Sequence, residues 1–386
     1  MKPIKVAILT TDKRDHDRNY AIRLPAFGTA PEALLQGLVN LPELEVHVVC
    51  CVQQPVTSPR KLAPNIFYHS LLVPKFGWMR TGYQGCIRAV RKKLQEIQPD
   101  IVHGQGTERD CAISAVFSGF PNLITLHGNM RKIASAKQAS FFSYLWLAAR
   151  LERFVLPRTD GVLCITSYTQ KAVADLAHKT WIAPNAVDAS FFDLQPAPDP
   201  TSPPVGLCVG TICTYKNQND FIRALGGLAK HKKFEMLFAG QCDHTSYGDE
   251  FCRLIQKHPW CKHIGFIDRE QLKARLRSAS FLALPTLEDN CPMVVLEAMA
   301  AGVPVLASAI GGVPDLIQHE VNGLLCNPQR PETFREAVSR LLDDRQFANR
   351  LASEARAQAL RRFHPKIIAR RHAEIYHEVL GKKTET

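Results

Sequence analysis

Residues 284–327 read LPTLEDNCPMVVLEAMAAGVPVLASAIGGVPDLIQHEVNGLLCN, and this stretch decides the fold. It follows a strand-like run and contains a second apolar run, Val303–Ala307, typical of a strand buried on both faces. A short helix is predicted between them at Pro292–Ala301, with Asn290 as its N-cap and Gly302 as its C-terminal glycine. This order of strand, helix and strand predicts an α/β protein with a parallel sheet.

Glu297 is the unusual residue of this helix because apolar side chains surround it on nearly all sides. A carboxylate is costly to bury unless a cation or a hydrogen-bond donor pairs with it. That partner is either another residue, as in a structural ion pair or cap, or a bound ligand. Asp289 lies eight positions earlier, at the carboxyl end of a strand, where open α/β sheets bind ligands. The N-terminal amides and dipole of the helix favour an anion such as phosphate.

The segments EDNCPMVVLEAMAAGVPVLAS, GGVPDLI and NGLL within residues 288–325 resemble the donor-site motif of glycosyltransferase family 4. The resemblance implies a retaining enzyme of GT-B architecture. In that family, two acids separated by seven residues contact the donor: the second holds the ribose hydroxyls and the first contacts the transferred sugar. Asp289 and Glu297 have this spacing. The first acid of the family is usually Glu, and Glu288 precedes Asp289, so both are candidates for that role.

The same resemblance implies that the segment after Asp289 binds the donor diphosphate. Its residues are Asn290, Cys291, Pro292 and Met293.

A second element, FGTAPE at residues 27–32, begins another predicted helix. Thr29 and Glu32 have the spacing of a capping box, and Gly28 leaves room for a close approach of the backbone. An ordinary helix cap explains this pattern. The element also resembles the glycine loop that GT-B enzymes place against the donor diphosphate, with Thr29 where a second glycine is usual. Gly28 and Thr29 are therefore candidate donor-binding residues.

Two histidines follow strand-like runs, His103 in DIVHGQG and His127 in LITLHG. A hydrogen-bonded histidine of the core is the alternative for each of them. In the family, a histidine in the setting of His127 points at the donor sugar near the reacting centre, which makes His127 a candidate catalytic residue. The setting of His103 is often found near the acceptor cleft, which makes His103 an acceptor-side candidate.

Residues 210–218, GTICTYKNQ, resemble the family's G-R-x…K-N element, whose Arg and Lys neutralise the donor diphosphate. Lys216 matches the lysine, although a surface lysine is the alternative. Thr211 occupies the position of the arginine, and a hydroxyl supplies neither the charge nor the forked donors of a guanidinium. Either another cation substitutes for it or the diphosphate is bound more weakly.

Strands and helices alternate along the whole chain, which predicts two Rossmann-like domains. We expect an N-terminal, acceptor-side domain over residues 1–195 and a C-terminal, donor-binding domain over residues 196–365. Asp193–Pro204 is rich in proline and polar residues and is predicted to be the linker. A C-terminal helix at residues 366–386 is expected to pack back on the first domain. The resemblance implies that the two domains face each other across a cleft.

The 386-residue chain carries a net charge of +12 and twelve cysteines. The charge is spread along the sequence, so we expect a solvated surface or anionic ligands and no nucleic-acid partner. The cysteines lack CxxC and zinc spacings and are predicted to be free buried thiols in a reducing cytosol. No apolar run reaches the roughly 18 residues that span a bilayer. The expected location is the cytoplasm.

Two further segments have open interpretations. Asp15-His16-Asp17 matches the DxD pattern of metal-dependent glycosyltransferases of another fold, but its position is wrong for that fold, so a solvated loop and no metal are expected. Residues 141–151, FFSYLWLAARL, lie between cationic residues. They indicate either a peripheral contact with the inner face of the membrane or a core helix with basic ends.

The sequence therefore predicts transfer of a sugar from a nucleotide-sugar donor to a hydroxyl acceptor, with retention at the anomeric carbon. The resemblance favours an acceptor that is a cell-envelope polysaccharide or a lipid-linked glycan, and no metal or other cofactor is expected. One alternative is a sugar-nucleotide epimerase of the same fold. Another is a catalytically inactive binding or scaffold protein, which the departures at Thr211 and Asp289 favour.

Overall fold

A computed structural model describes residues 2–197 and 201–381. The chain divides into two compact units: unit 1 comprises residues 1–186 and 364–386, and unit 2 comprises residues 187–363. The predicted linker, Asp193–Pro204, thus belongs to the sequence of unit 2, and its residues 198–200 lie outside the described part. Each unit has its own sheet and its own apolar core.

The eight strands of unit 1 belong to one sheet. They are β1 (Ile4–Leu9), β2 (Leu44–Val52), β3 (Lys61–Ala63), β4 (Ile66–Leu72), β5 (Ile101–Gln105), β6 (Asn122–Leu126), β7 (Val162–Cys164) and β8 (Thr180–Ile182). Their order is β3-β4-β2-β1-β5-β6-β7-β8, and only the short β3 pairs antiparallel. Alternate residues of β1 belong to two separate apolar clusters, so both faces of the sheet are covered.

The six strands of unit 2 form a fully parallel sheet. They are β9 (Val205–Val209), β10 (Glu235–Ala239), β11 (Cys261–His263), β12 (Phe281–Leu284), β13 (Val305–Ser308) and β14 (Leu324–Cys326). Their order is β11-β10-β9-β12-β13-β14. Because the strands are parallel, the loops that follow β9 and β12 leave the same edge of the sheet, and these two strands are neighbours.

Helices connect the strands in both units. They are α1 (Lys13–His16), α2 (Thr29–Leu38), α3 (Gln84–Ile97), α4 (Asp110–Val116), α5 (Met130–Ala136), α6 (Tyr144–Val155), α7 (Ser167–Val173), α8 (Gln218–Leu225), α9 (Ser246–Lys257), α10 (Arg269–Ser278), α11 (Met293–Ala301), α12 (Glu332–Asp343), α13 (Arg345–Arg362) and α14 (Pro365–Val379). Among the described residues, none of these helices has the length and apolar character needed to cross a bilayer.

Two predicted helix starts are wrong. Helix α11 begins at Met293 with Pro292 as its N-cap, so Asn290 is not the cap. Helix α2 begins at Thr29 with Gly28 as its N-cap, so Thr29 cannot cap it and the predicted capping box does not form. The predicted end of α11 is confirmed, since Gly302 has a left-handed backbone with φ +74°.

The predicted solvated loop at Asp15-His16-Asp17 is wrong for Asp15, whereas His16 and Asp17 are exposed as expected. Asp15 belongs to the short helix α1 and is 6% exposed. Its Oδ1 accepts a hydrogen bond of 2.7 Å from the backbone N–H of Gln53 and one from the hydroxyl of Tyr20. The carboxylate is thus used within the fold of unit 1. All twelve cysteines are free thiols, and nine of them are buried.

Helix α14 returns to unit 1 and packs closely on α2 at Gly37. A Cβ at this position would lie 2.1 Å from the carbonyl oxygen of Pro365 and 2.7 Å from the Cβ of Ala369. The two helices therefore approach each other at a distance that only glycine permits.

We predict that Gly37→Ala destabilises unit 1 by about 1–3 kcal/mol, because the new methyl group collides with rigid backbone. Calorimetric thermal unfolding measures the change. A helix-interior glycine with free space would gain about 0.5–1 kcal/mol on the same substitution, so a raised melting temperature would contradict this packing. The control is Gly227→Ala, where nothing lies within 4 Å of the added Cβ.

Candidate functional site

The loops that follow β9 and β12 meet at one edge of the unit 2 sheet. The backbone carbonyl of Tyr215 accepts hydrogen bonds from the N–H of Leu287, at 2.6 Å, and from the hydroxyl of Thr286, at 3.0 Å. The two sequence motifs that predicted donor binding are thereby joined by backbone contacts. Their side chains come together because of the strand order, which the local sequence does not encode.

Lys216 and Asp289 form an ion pair at this edge. The Lys216 ammonium donates to Oδ2 of Asp289 over 2.6 Å, and the two side chains are 18% and 15% exposed. The lysine thus lies beside the first acid of the motif, next to the N-terminus of α11. A cation and helix amides at one place can bind a diphosphate, since both favour negative charge.

The backbone of Asp289 is held by a glycine turn. The N–H of Gly312 donates to the Asp289 carbonyl over 3.0 Å, and a Cβ at Gly311, where φ is +56°, would lie 2.0 Å from the same oxygen. The glycine pair is therefore needed to seat Asp289. Glu288 is half-buried, and its carbonyl accepts a hydrogen bond from the hydroxyl of Thr286.

The predicted diphosphate segment leads directly into α11. Asn290 and Met293 are half-buried, whereas Cys291 and Pro292 are buried. Because the first turn of a helix has N–H groups without intrahelical partners, Met293 at the start of α11 belongs to an anion-favouring N-terminus.

Glu297 lies on α11 with only 3% of its surface exposed. Its Oε1 accepts a hydrogen bond of 2.9 Å from the guanidinium of Arg269, the first residue of α10. The same guanidinium lies 5.0 Å from the ring centre of Phe191. The buried carboxylate that the sequence singled out therefore has a protein cation as its partner.

Burial raises the pKa of Glu297, and the charge and hydrogen bond of Arg269 oppose that rise. The neighbouring carboxylate of Asp188 adds to the rise in the pKa. Arg269 is 31% exposed on its side chain, so it lies between solvent and the buried acid. Arg269 thus opposes the protonation of Glu297 that burial favours.

Thr211 is exposed at the same edge of the sheet. Its backbone carbonyl accepts hydrogen bonds from the amide of Gln218, at 3.0 Å, and from the thiol of Cys213. The aliphatic chain of Lys216 passes over Gly210, with its Cδ 3.7 Å from where a Cβ would be. Lys216 is thus the cation that the structure brings to the first turn after β9.

In unit 1, Gly28 and Thr29 lie at the start of α2. An added Cβ at Gly28 would make only an ordinary contact of 3.5 Å with Pro31. The backbone carbonyl of Gly28 accepts the first helical hydrogen bond, from Glu32 over 3.0 Å. The first turn of this ten-residue helix is half-buried. The contact of Gly28 and Thr29 with the diphosphate stays a prediction.

His127 directly follows β6 and is half-buried in unit 1. Its Nε2 donates to the amide oxygen of Gln105, the last residue of the neighbouring strand β5, over 2.9 Å. Burial lowers the pKa of His127 to about 4, and a hydrogen bond with the Asn185 side chain opposes this shift. His127 is therefore neutral near pH 7, and both strand β5 and the segment around Asn185 fix its ring.

His103 lies in the core of unit 1, with no exposed surface. Its two ring nitrogens are 2.7 Å from the hydroxyls of Tyr376, on α14, and Thr125, on β6. Burial, together with the neighbouring His372 and His127, lowers the pKa of His103 well below its usual value. This geometry does not support the expected acceptor contact and corresponds to the alternative, a hydrogen-bonded core histidine.

Among the described residues, one group of side chains has the spacing of metal ligands: Cys51, Cys86 and Asp110, with ligand atoms within 4.8 Å of one another. All three are buried in unit 1. A hydrogen bond with the Cys86 thiol and burial raise the pKa of Cys51, which disfavours the thiolate that binds metals.

The sequence did not reveal three residues that orient the candidate side chains: Arg269, Gln105 and Asn185. Asp268 and Gln271 form a capping box that could have located the start of α10, but not the distant acid that Arg269 contacts. Gln105 occupies the end of β5 and thus shares an edge with His127, which a correct strand order would have indicated.

We predict that Arg269→Gln destabilises unit 2 by about 1–3 kcal/mol at pH 8 and by less at pH 5. Without the guanidinium the pKa of Glu297 rises further, so the folded state holds a proton that the unfolded chain releases, and stability falls as the pH rises. Thermal melts at the two pH values measure the difference. Arg275→Gln, an exposed residue on the same helix, is the control, and equal losses at both pH values would contradict the pairing.

Acid is predicted to destabilise unit 1 through His103, His127 and His372. Burial lowers the pKa of His372 to about 4, as it does for His127. Between about pH 6.5 and that value the unfolded chain binds protons that the folded unit excludes, so stability falls as the pH drops through this window. His372→Gln should reduce the slope of melting temperature against pH, whereas the exposed His231→Gln should not. An unchanged slope for His372→Gln would refute this origin.

Two family profiles match the chain. Residues 32–191 match Glycosyltransferase Family 4, and residues 192–358 match Glycosyl transferases group 1. An uncharacterized glycosyltransferase of Methanocaldococcus jannaschii is 28% identical over 46% of this chain and 46% of its own length. The glycogen synthase of Mycobacterium tuberculosis strain H37Rv is 25% identical over 72% of this chain and 69% of its own length.

The crystal structure of HepE from Anabaena in complex with UDP has a TM-score of 0.70 at 18% identity. The match covers 98% of this chain and 100% of HepE, so the two proteins share the GT-B fold. The two parallel-sheet units and both profile matches lead to the same conclusion. The chain belongs to the group 1 glycosyltransferases of family 4 type, which have the GT-B fold.

Proposed function

We propose that this protein transfers a sugar from a nucleoside-diphosphate sugar to a hydroxyl acceptor, with retention at the anomeric carbon and without a metal ion. Membership of the family supports glycosyl transfer in general. The observation that carries the finer proposal is the pairing of Lys216 with Asp289 beside the N-terminus of α11. A protein cation and helix amides there supply the positive charge that other transferases obtain from a metal.

In the proposed donor complex, the diphosphate takes the place of the Asp289 carboxylate on Lys216. This exchange frees Asp289 to accept hydrogen bonds from the transferred sugar. It also favours Asp289 over Glu288 as the first acid, because Asp289 is the one that Lys216 holds. Glu297, paired with Arg269, accepts hydrogen bonds from the ribose hydroxyls.

In the proposed reaction the bond between the anomeric carbon and the phosphate oxygen breaks, and the acceptor hydroxyl attacks from the face that the phosphate leaves. The proton of that hydroxyl passes to the departing phosphate. Lys216 stabilises the negative charge on the diphosphate, and the neutral ring of His127 contacts the sugar. A neutral imidazole suits this task, since a cation there would oppose the oxocarbenium character of the sugar.

The acceptor of the proposed reaction is a hydroxyl of a cell-envelope polysaccharide or of a lipid-linked glycan. We place the protein in the cytoplasm, with a peripheral contact at the inner face of the membrane. Solved structures of similar fold include one described as a lipopolysaccharide outer core galactosyltransferase, which is consistent with an acceptor of that class. An epimerase and an inactive scaffold are the alternatives, and each has a distinct outcome in the experiment below.

We predict that the purified protein in EDTA releases nucleoside diphosphate from one member of a panel of UDP-, GDP- and ADP-sugars. Glu297→Gln should lower kcat/KM by about tenfold to a hundredfold, because the substitution removes one or two hydrogen bonds to a charged group. The matched control is Glu354→Gln, on another helix of unit 2, where the side chain is 40% exposed and pairs with Arg361.

Three outcomes of this panel would overturn parts of the proposal. Release that requires Mn²⁺ or Mg²⁺ would refute the metal-free reaction. Conversion of the donor sugar without release would indicate an epimerase. If the protein turns over no donor and no donor raises its melting temperature, Thr211 in place of arginine has abolished donor binding. The protein then acts as a scaffold.

A further inference from the structure

Unit 1 carries an aromatic cluster on its surface just before and within the first turn of α6. Phe141 and Phe142 are in edge contact, with ring centres 4.3 Å apart. Both also contact Trp146, at 4.7 Å and 5.4 Å. The three rings form a preassembled group, which is called the aromatic cluster below.

The aromatic cluster is directed to solvent. Phe141 is 70% exposed and Phe142 is 67% exposed, and Tyr144 next to them is 49% exposed. The buried residues of α6 begin only at Ala148, so its first turn contributes little to the core. Large apolar rings that gather on the surface mark a contact with another apolar phase or partner.

The backbone that presents these rings is strained. Phe142 has φ +59°, a left-handed conformation that a bulky side chain rarely adopts. Such conformations persist where the surrounding structure imposes them, and they concentrate at functional sites. Here the residue with the left-handed backbone is itself one of the three rings of the aromatic cluster.

The charge around the aromatic cluster is positive. From Met130 to Leu151 the sequence contains four basic residues and no acidic one. Arg131 is paired with Asp175, while Lys132, Lys137 and Arg150 are exposed. The guanidinium of Arg150 lies 5.0 Å from the ring centre of Trp146, so a cation flanks the cluster directly.

We infer that the aromatic cluster and its flanking cations are a docking surface for an anionic phospholipid bilayer. Phenylalanine and tryptophan rings partition into the interface between headgroups and acyl chains, and lysine and arginine attract anionic headgroups. Charge complementarity selects this occupant over a protein partner, because the segment joins exposed apolar rings to the exposed cations Lys132, Lys137 and Arg150. The docking surface belongs to α6 and the segment before it.

The inference deepens the proposed function by naming the partner of the peripheral contact. The biological role of the docking surface rests on the proposed function, whereas the binding to a bilayer does not. A lipid-linked acceptor is confined to the bilayer surface, so docking would raise the local concentration of that acceptor. Binding to a bilayer is measured without donor or acceptor, which separates it from the reaction.

The test is co-sedimentation of the full chain with vesicles of phosphatidylcholine alone or mixed with phosphatidylglycerol. We expect binding at least about tenfold tighter to the anionic vesicles, and weaker binding as salt is raised. Phe141→Ser with Phe142→Ser should weaken binding to the anionic vesicles at least about tenfold. Lys137→Glu with Arg150→Glu should abolish the preference for anionic lipid.

The matched control is Leu360→Ser with Ile367→Ser, which removes two exposed apolar side chains from α13 and α14. This control should bind as the wild type does, and thermal melts verify that each variant is folded. Equal binding of the Phe141/Phe142 variant and wild type would overturn the inference. Self-association that the Phe141/Phe142 substitutions abolish, without vesicle binding by the wild type, would overturn it in favour of a second copy.

Donor turnover of the Phe141/Phe142 variant in vesicle-free solution distinguishes the two proposals. Retained release of nucleoside diphosphate with lost vesicle binding supports both. Vesicle binding without turnover of any donor by the wild type would refute the proposed reaction and leave the docking surface standing.

Discussion

The burial of one carboxylate constrains how α10 and α11 are placed in unit 2. Glu297 lies on a helix whose other side chains are almost all apolar, and 3% of its surface is exposed. A charge in that position is unstable unless a cation reaches it, because desolvation would otherwise drive protonation. Arg269 is that cation, which requires α10 to begin beside α11. The capping box at Asp268 fixes this start, so a local helix signal supports a long-range ion pair.

A second ion pair, between Lys216 and Asp289, also joins a cation to a carboxylate, but at more exposed positions. Lys216 and Asp289 are more exposed than Glu297: Lys216 ends a short 3-10 turn, Thr214–Lys216, and Asp289 lies in the loop before α11. Separating two charges at partly exposed positions costs less free energy than separating a buried pair. An incoming anion can therefore replace the carboxylate of such a pair at modest cost. The two pairs therefore differ: the Arg269 guanidinium opposes the rise in the pKa of a buried carboxylate, while solvent reaches both charges of the Lys216 pair.

Much of the architecture of unit 2 could be predicted, because each of its elements is encoded locally. Apolar runs, the glycine after α11 and the spacing of Asp289 and Glu297 were all readable without a structure. Helix starts were less predictable, since Pro292 and Gly28 cap their helices without a side-chain hydrogen bond and thus leave no signature. The partner of Glu297 was not predictable, because Arg269 is 28 residues away and one of many arginines.

His103 shows why a local setting can mislead. Its sequence context is that of a site residue, but Tyr376, 273 positions later, hydrogen-bonds its ring inside the core. Only the return of α14 to unit 1 brings that hydroxyl to β5, and no local pattern around His103 encodes it. His103 is the third residue of the five-residue strand β5, whereas His127 directly follows the neighbouring strand β6 and is half-buried. Whether a histidine near the end of a strand is enclosed thus depends on where that strand ends and on what covers it, and in unit 1 the C-terminal helix covers His103.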